Sequence, residues 1–369
     1  MRGLVSSGLI VLMAATACSS QADPQATPSV SQSATPQAPT TPPTVNQARV
    51  IATGLKSPWG LAFLPDGSAL VTLRDSGLIK RVVPGATASA QVTTVGQVPG
   101  VNHQAGGENG LLGIAVEPGP DPKAAYVYYS TAAENRIASM SWDGSRLGPP
   151  QTILSGIPAG PFHDGGRMVF GPDGYLYVGT GDARDSPSAQ RRSSLGGKIL
   201  RITTSGAAAP GNPFGDSPVW TLGHRNIQGL AFDAQQRLWA SEFGEKTHDE
   251  LNLITKGANY GWPKYEGKGN DPAYADPYVQ WPTEEASPSG LAIIGDWAYM
   301  AALRGKRLWQ VGIANPTPAG PFDLFVGKYG RLRTPAVAPD GSLWIVTSNT
   351  DGRANPSPGD DRIVAFTVT

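Results

Sequence analysis

A short pattern that recurs along the chain limits what it can fold into. Gly60-Leu-Ala-Phe-Leu-Pro-Asp-Gly67 is followed by Ala69-Leu-Val-Thr72, and Gly166-Arg-Met-Val-Phe-Gly-Pro-Asp-Gly174 by Tyr175-Leu-Tyr-Val178. A third copy, Thr334-Pro-Ala-Val-Ala-Pro-Asp-Gly341, precedes Ser342-Leu-Trp-Ile-Val346. Each reads as strand, Pro-Asp-Gly turn, strand, with a glycine free to adopt positive φ in the turn. Weaker copies stand at Leu112–Gly119, at Gly229–Asp233 with Arg237–Ala240, and at Gly290–Asp296 with Trp297–Met300. The six units recur roughly every 45 to 60 residues, the range in which internal periodicity signals propellers and related arrays. Long helical periodicity is absent, while glycine and proline total 46 and 34 residues. The expectation is an all-β, six-bladed β-propeller with four-stranded antiparallel blades, each inner hairpin carrying the signature.

The N-terminal region has a different character. Met1-Arg2 precedes an apolar run through Leu9–Met13 and the small residues leading to Cys18, the only cysteine. Residues 1–17 read as an export signal, and Cys18 stands where a lipoprotein signal places its lipidated residue; an ordinary signal with an incidental cysteine is the alternative. A lipid anchor would hold the protein at the outer face of the cell membrane without a spanning helix. Residues 18–47 are almost entirely Ser, Thr, Gln, Ala and Pro, which cannot bury a core and read as a tether. The propeller is expected over residues 48–369. Basic and acidic residues balance at 29 each. With no basic face interleaved with aromatics, nucleic acid is not an expected partner.

Polar clusters fall where loops between blades would converge on the channel mouth. His163, one of four histidines, directly precedes the third repeat and suits removal of a hydroxyl proton, though a turn histidine is the plain alternative. In Gly223-His-Arg-Asn-Ile-Gln-Gly-Leu230, Arg225 and Asn226 place a guanidinium fork beside a carboxamide. Arg331 and Arg333 alternate around Leu332, so on a strand both would face one way and need a compensating anion. The stretch from Trp239 to Pro263 gathers acids, amides and glycines in irregular loops, which suits Ca²⁺ without matching any fixed spacing.

Together these segments resemble the soluble quinoprotein glucose/sorbosone dehydrogenase family. The resemblance is carried by Gly223–Leu230, Trp239-Ala-Ser-Glu-Phe-Gly244, Asp249-Glu-Leu-Asn-Leu-Ile254 and Asn259-Tyr-Gly-Trp-Pro263. Gly110-Leu-Leu-Gly113, His163 with Gly166-Arg167, and Arg331-Leu-Arg333 fit in the same order, over residues 49–366. It implies pyrroloquinoline quinone (PQQ) and Ca²⁺ at the channel mouth, an aldose substrate oxidised at C1 to a lactone, and a separate electron acceptor. Carried over by position, His163 would be the base, and Glu108, Arg225, Asn226, Arg304, Arg331 and Arg333 would hold the cofactor. Gly244 and Glu245 would ligate its Ca²⁺, and Glu250 and Tyr260 a second, structural one.

Phe162 stands where glucose-oxidising members carry Asp, Glu108 where they carry Gln, and Arg304 where they carry Lys. These departures point to the broader aldose-oxidising branch. Two rivals share the fold: a Ca²⁺-dependent lactonase, which needs no anion-binding arginine set, and a non-catalytic cell-surface binding propeller.

Overall fold

The computed structural model describes residues 41–85 and 89–369. The signal, Cys18 and the tether as far as residue 40 lie outside the described residues. After β1 (Val45–Ala52), blade 1 contains β2 (Pro58–Phe63), β3 (Ala69–Leu73), β4 (Leu78–Val83) and β5 (Gln91–Gln97). Blade 2 contains β6 (Leu111–Val116), β7 (Ala124–Ser130), β8 (Asn135–Ser141) and β9 (Gln151–Ile157). Blade 3 is β10 (Gly165–Phe170), β11 (Leu176–Thr180), β12 (Lys198–Ile202) and β13 (Val219–Leu222). Blade 4 is β14 (Ile227–Phe232), β15 (Leu238–Glu242), β16 (His248–Ile254) and β17 (Val279–Pro282). Blade 5 holds β18 (Pro288–Ile294), β19 (Trp297–Ala302), β20 (Arg307–Gly312) and β21 (Ala319–Leu324). Blade 6 holds β22 (Leu332–Val337), β23 (Leu343–Thr347) and β24 (Ile363–Val368), and β1 returns as its fourth strand. The protein is a six-bladed β-propeller, and all six repeat units are the inner hairpins of its blades.

The Pro-Asp-Gly pattern recurs because one turn recurs. Asp66 Oδ1 accepts the Ser68 N–H at 2.9 Å and Asp340 Oδ1 that of Ser342 at 3.0 Å, while Gly67 and Gly341 sit at φ +81° and +82°. An aspartate that caps its own turn and a glycine at positive φ close the hairpin without strain.

The core is distributed between blades. One cluster joins blades 1 and 2 through Leu70, Ile79, Ile114 and Val127; another joins blades 2 and 3 through Leu112, Tyr128, Met168 and Val178. Strands near the axis are packed on both faces, so β3 and β11 are buried at every residue. Outer strands are less uniformly buried, and β5 and β21 are largely exposed. Closure places β1 antiparallel to β24, pairing Val45 with Val368. Thr44 and Thr369 exchange backbone hydrogen bonds at 2.7 and 3.0 Å. The blade sheet thus begins at Val45, three residues before the boundary expected at 48. The polar sequence of this edge strand gives no hydrophobic signal of its start.

Candidate active site

Segments leading into the first strand of a blade and segments joining its second and third strands emerge at one end of the ring, opposite the Pro-Asp-Gly turns. His163 leads into β10, Asp182 and Arg184 lie between β11 and β12, Arg225 and Asn226 lead into β14, and Glu108 leads into β6. The long β16–β17 connection climbs back to the same end, where Trp262 Nε1 donates to Asp182 Oδ2 at 2.8 Å.

At the centre, His163 Nδ1 lies 2.7 Å from Asp182 Oδ1, and the Arg225 Nη2 donates to His163 Nε2 at 2.9 Å. Asp182 only accepts and Arg225 only donates, so the ring carries its proton on Nδ1 and offers its lone pair at Nε2. Burial pushes the Asp182 carboxyl up, but the His163 contact, the Arg184 N–H and the Trp262 N–H outweigh it and hold it below the ordinary range. The backbone around this imidazole is unusual. His163 itself has φ +62°, and a Cβ on Gly181 would stand 1.8 Å from the His163 carbonyl oxygen, so only glycine lets the two loops pass. Glu108 Oε2 accepts the His163 N–H at 3.0 Å and the Asn226 side-chain amide at 3.2 Å.

His163, Arg184, Arg225 and Glu245 line two cavities, of about 780 and 390 Å³. The smaller is lined by Arg184, Arg225, Arg304, Arg331 and Arg353 against only three carboxyl groups, those of Glu108, Glu245 and Asp249. Arg225 Nε is buried without a partner. Burial pulls the Arg225 guanidinium below its ordinary range, with Asp182 and Glu108 pulling back. A net cationic wall with an orphaned guanidinium N–H suits a polycarboxylate ligand.

The two alternating arginines do lie together, and the anion they require is inside the protein. Asp351 Oδ2 accepts from Arg331 Nη2 at 3.0 Å and Arg333 Nη2 at 3.3 Å, and Ser348 Oγ lies 2.9 Å from Arg333 Nε. Even so, burial brings Arg333 down to about 9. Arg331 reaches the cavity wall, whereas Arg333 lies deeper, 3% exposed.

Of the expected cation ligands, Gly244 and Glu245 have their N–H groups bound to Asp249 and Glu266, and Glu266 Oε1 also accepts the N–H groups of Lys246, Thr247 and His248. The Tyr260 hydroxyl is occupied, donating to Leu253 O at 2.7 Å and accepting the Thr255 N–H, while its ring stacks on His224. Glu250 lines a small cavity with Glu242, Gly244, Tyr260 and Glu266. Burial and then the Glu242 charge push Glu250 up to about 8, and the nearby Asn252 Oδ1 is buried without a partner. Two buried acids and an unpaired amide oxygen suit a hard cation. Among the described residues, no group of three or more His, Cys, Asp or Glu forms a ready-made metal cage.

The sequence profile of the glucose/sorbosone dehydrogenase family matches residues 55–355. The chain belongs to that family. A PQQ-bound aldose sugar dehydrogenase from Streptomyces coelicolor superposes with a TM-score of 0.84 at 50% identity, covering 89% of this chain and 100% of that one. The aldose sugar dehydrogenase YliI of Escherichia coli is 29% identical over 84% of this chain and 92% of its own length. Quinoprotein glucose dehydrogenase B of Acinetobacter calcoaceticus is 35% identical over 62% of this chain and 54% of its own. Within this family fold the site also draws on residues that the sequence does not single out, among them Asp182, Trp262, Asp351, Glu242 and Glu266. Glu242 accepts the Arg225 backbone N–H and lies 2.7 Å from His224 Nδ1, fixing the strand entry that carries the guanidinium.

Proposed function

We propose that the protein is a quinoprotein aldose dehydrogenase that oxidises the C1 hydroxyl of a sugar to the lactone, with His163 as base. The observation that carries this reading is the His163 imidazole, its proton held on Nδ1 by Asp182 and its Nε2 lone pair turned to a cavity walled by arginines. PQQ fits that wall: Arg225, Asn226, Arg304 and Arg331 would hold its oxygens and carboxylates, Arg333 and Asp351 would support them from behind, and Glu108 would brace Asn226. When bound, the quinone supplies a two-electron oxidant for the hydride leaving C1. His163 Nε2 takes the hydroxyl proton as the carbonyl forms, and Asp182 stabilises the resulting imidazolium. Arg225, which occupies Nε2 in this structure, would turn towards the ligand carboxylates and so free the lone pair. Carbonyl oxygens of Gly244 and Glu245 would be the donors for a cofactor-associated Ca²⁺. A second Ca²⁺ fits Glu250, Glu242 and the main chain of Tyr260, whose hydroxyl is already taken. Electrons then pass to a separate acceptor. Export and anchoring through Cys18 belong to the same reading, and Cys18→Ala should move the protein out of the membrane fraction.

The test is reconstitution of a chain beginning at residue 41 with PQQ and Ca²⁺, following dye reduction by a panel of aldoses. Activity that needs both additions supports the reading. Absence of quinone binding by absorbance and calorimetry, with lactone hydrolysis in its place, would overturn it.

A further inference from the structure

Asp164, next to the base, has no part in the chemistry above, and its surroundings are those of a built device. It is 1% exposed and is flanked by left-handed backbone, His163 at φ +62° on one side and Gly165 and Gly166 at +65° and +103° on the other. Its Oδ1 accepts the Gly160 N–H at 3.1 Å and Asn135 Nδ2 at 3.0 Å, and its carbonyl oxygen accepts the Tyr128 hydroxyl at 2.8 Å. Asn135 Nδ2 also donates to Pro158 O at 2.8 Å, and Asn135 Oδ1 accepts from Ser130 Oγ at 2.6 Å. The carboxyl group therefore links Gly160 of the turn to Asn135 of the second blade, and Asn135 and Tyr128 hold Pro158 and the Asp164 main chain to the same blade. Its other oxygen, Oδ2, is buried without any partner. Such an oxygen is tolerable when it carries a proton and costly when it carries charge.

We infer that Asp164 is a positioning residue for the His163 base: its carboxyl clamps the turn that carries the imidazole, and its proton sets the charge behind it. The inference rests on the dehydrogenase reading of His163. Tyr128 from β7, Asn135 from β8 and Glu108 from the segment entering β6 face this carboxyl, and of these only Tyr128 and Glu108 ionise. Burial, with the Glu108 charge adding to it, raises the carboxyl to about 7 against the pull of Asn135 and the Gly160 N–H. Below that value the residue behind the base is neutral. Above it, the residue that follows His163 in the chain carries a buried negative charge, which favours the imidazolium that forms when the hydroxyl proton is taken. Catalysis therefore gains a dependence on pH through Asp164.

The experiment compares wild type with Asp164→Asn and Asp164→Ala. The kcat and KM profiles are recorded from about pH 5.5 to 9 with PQQ and Ca²⁺ saturating, and the His163 ring is followed by NMR in the protein without cofactor. Wild type should show a two-step titration of the ring signal, which becomes single in Asp164→Asn. The same variant should lose about 3- to 10-fold in kcat at the alkaline end, with KM and PQQ affinity unchanged. Asp164→Ala, which removes the clamp as well, should fall below Asp164→Asn at every pH. If it fails to fold, the wild-type and Asp164→Asn titrations decide. A single-step ring titration in wild type, or an Asp164→Asn pH profile identical to wild type, overturns the inference. Wild type that oxidises no aldose while showing the two-step titration overturns the functional reading and leaves the clamp standing.

Discussion

His163 occupies backbone space that glycine enters more readily, and Ala183 and Arg184 on the facing loop do so too, at φ +51° and +65°. Non-glycine residues in this region each cost on the order of 1–3 kcal/mol, and persist where their surroundings over-determine them. Here Glu108, Asp164 and Asp182 supply that determination. His163→Ala should lower kcat by on the order of 10²–10⁴-fold while PQQ binding, read by calorimetry, stays close to wild type. Arg333→Ala is a different kind of change, because it takes one of two guanidinium partners from the buried Asp351, which keeps Arg331, the Ser348 hydroxyl and the Arg353 N–H. It should cost about 1–3 kcal/mol in denaturant unfolding as well as weakening PQQ binding. These roles were unevenly legible beforehand. His163, Arg225 and the Arg331–Arg333 pair are informative types at equivalent places in a repeat. Asp182, Asp351 and Trp262 look like ordinary loop residues, because their partners lie 18 to 80 positions away and only the ring brings them together.

The inner hairpin is the element that the sequence announces, since Pro-Asp-Gly turns and doubly buried strands leave a recognisable pattern. The outer strands do not: β5 and β21 bury little, so nothing in their composition repeats from blade to blade. The β11–β12 loop shows what else composition hides. Lys198, fully buried at the start of β12, donates to the carbonyls of Ser188, Ala189 and Gly196 at 2.8, 2.9 and 2.7 Å. All three ammonium protons are used, so one side chain does for this loop what a bound cation does elsewhere. Lys198→Met would leave three carbonyls without that donor. At about 1–3 kcal/mol for each buried group left unsatisfied, unfolding free energy should drop by roughly 3 kcal/mol or more. Amide exchange should quicken first between Asp182 and Gly197.

Over the whole ring, buried acids set opposite limits on stability. Asp182, Asp351 and Glu266 are held below their ordinary range, so their contribution is present above about 4 and lost as pH falls through the folded-state values. Asp164 and Asp249 are raised to about 7 and Glu250 to about 8, each chiefly by burial. Between their ordinary values and these, the folded chain keeps protons that the unfolded chain has released. Each such group therefore removes up to about 1.4 kcal/mol per pH unit as pH rises through that window. The melting temperature without added metal should peak in mildly acidic solution, and Ca²⁺ should raise it more at pH 8 than at pH 5. Equal shifts at both pH values would remove Glu250 from the cation site.

Because Thr44 and Thr369 lie side by side and β1 completes the sheet that β22 begins, the six blades have a cyclic order and no intrinsic first member. Joining Thr369 back to Thr44 and opening the chain in the exposed turn at Asp143–Ser145 would make β9 the new leading strand. It would close against β8 as β1 now closes against β24, leaving every interblade interface and the mouth of the channel in place. Where translation starts is then a property of the gene, and the catalytic ring is indifferent to it.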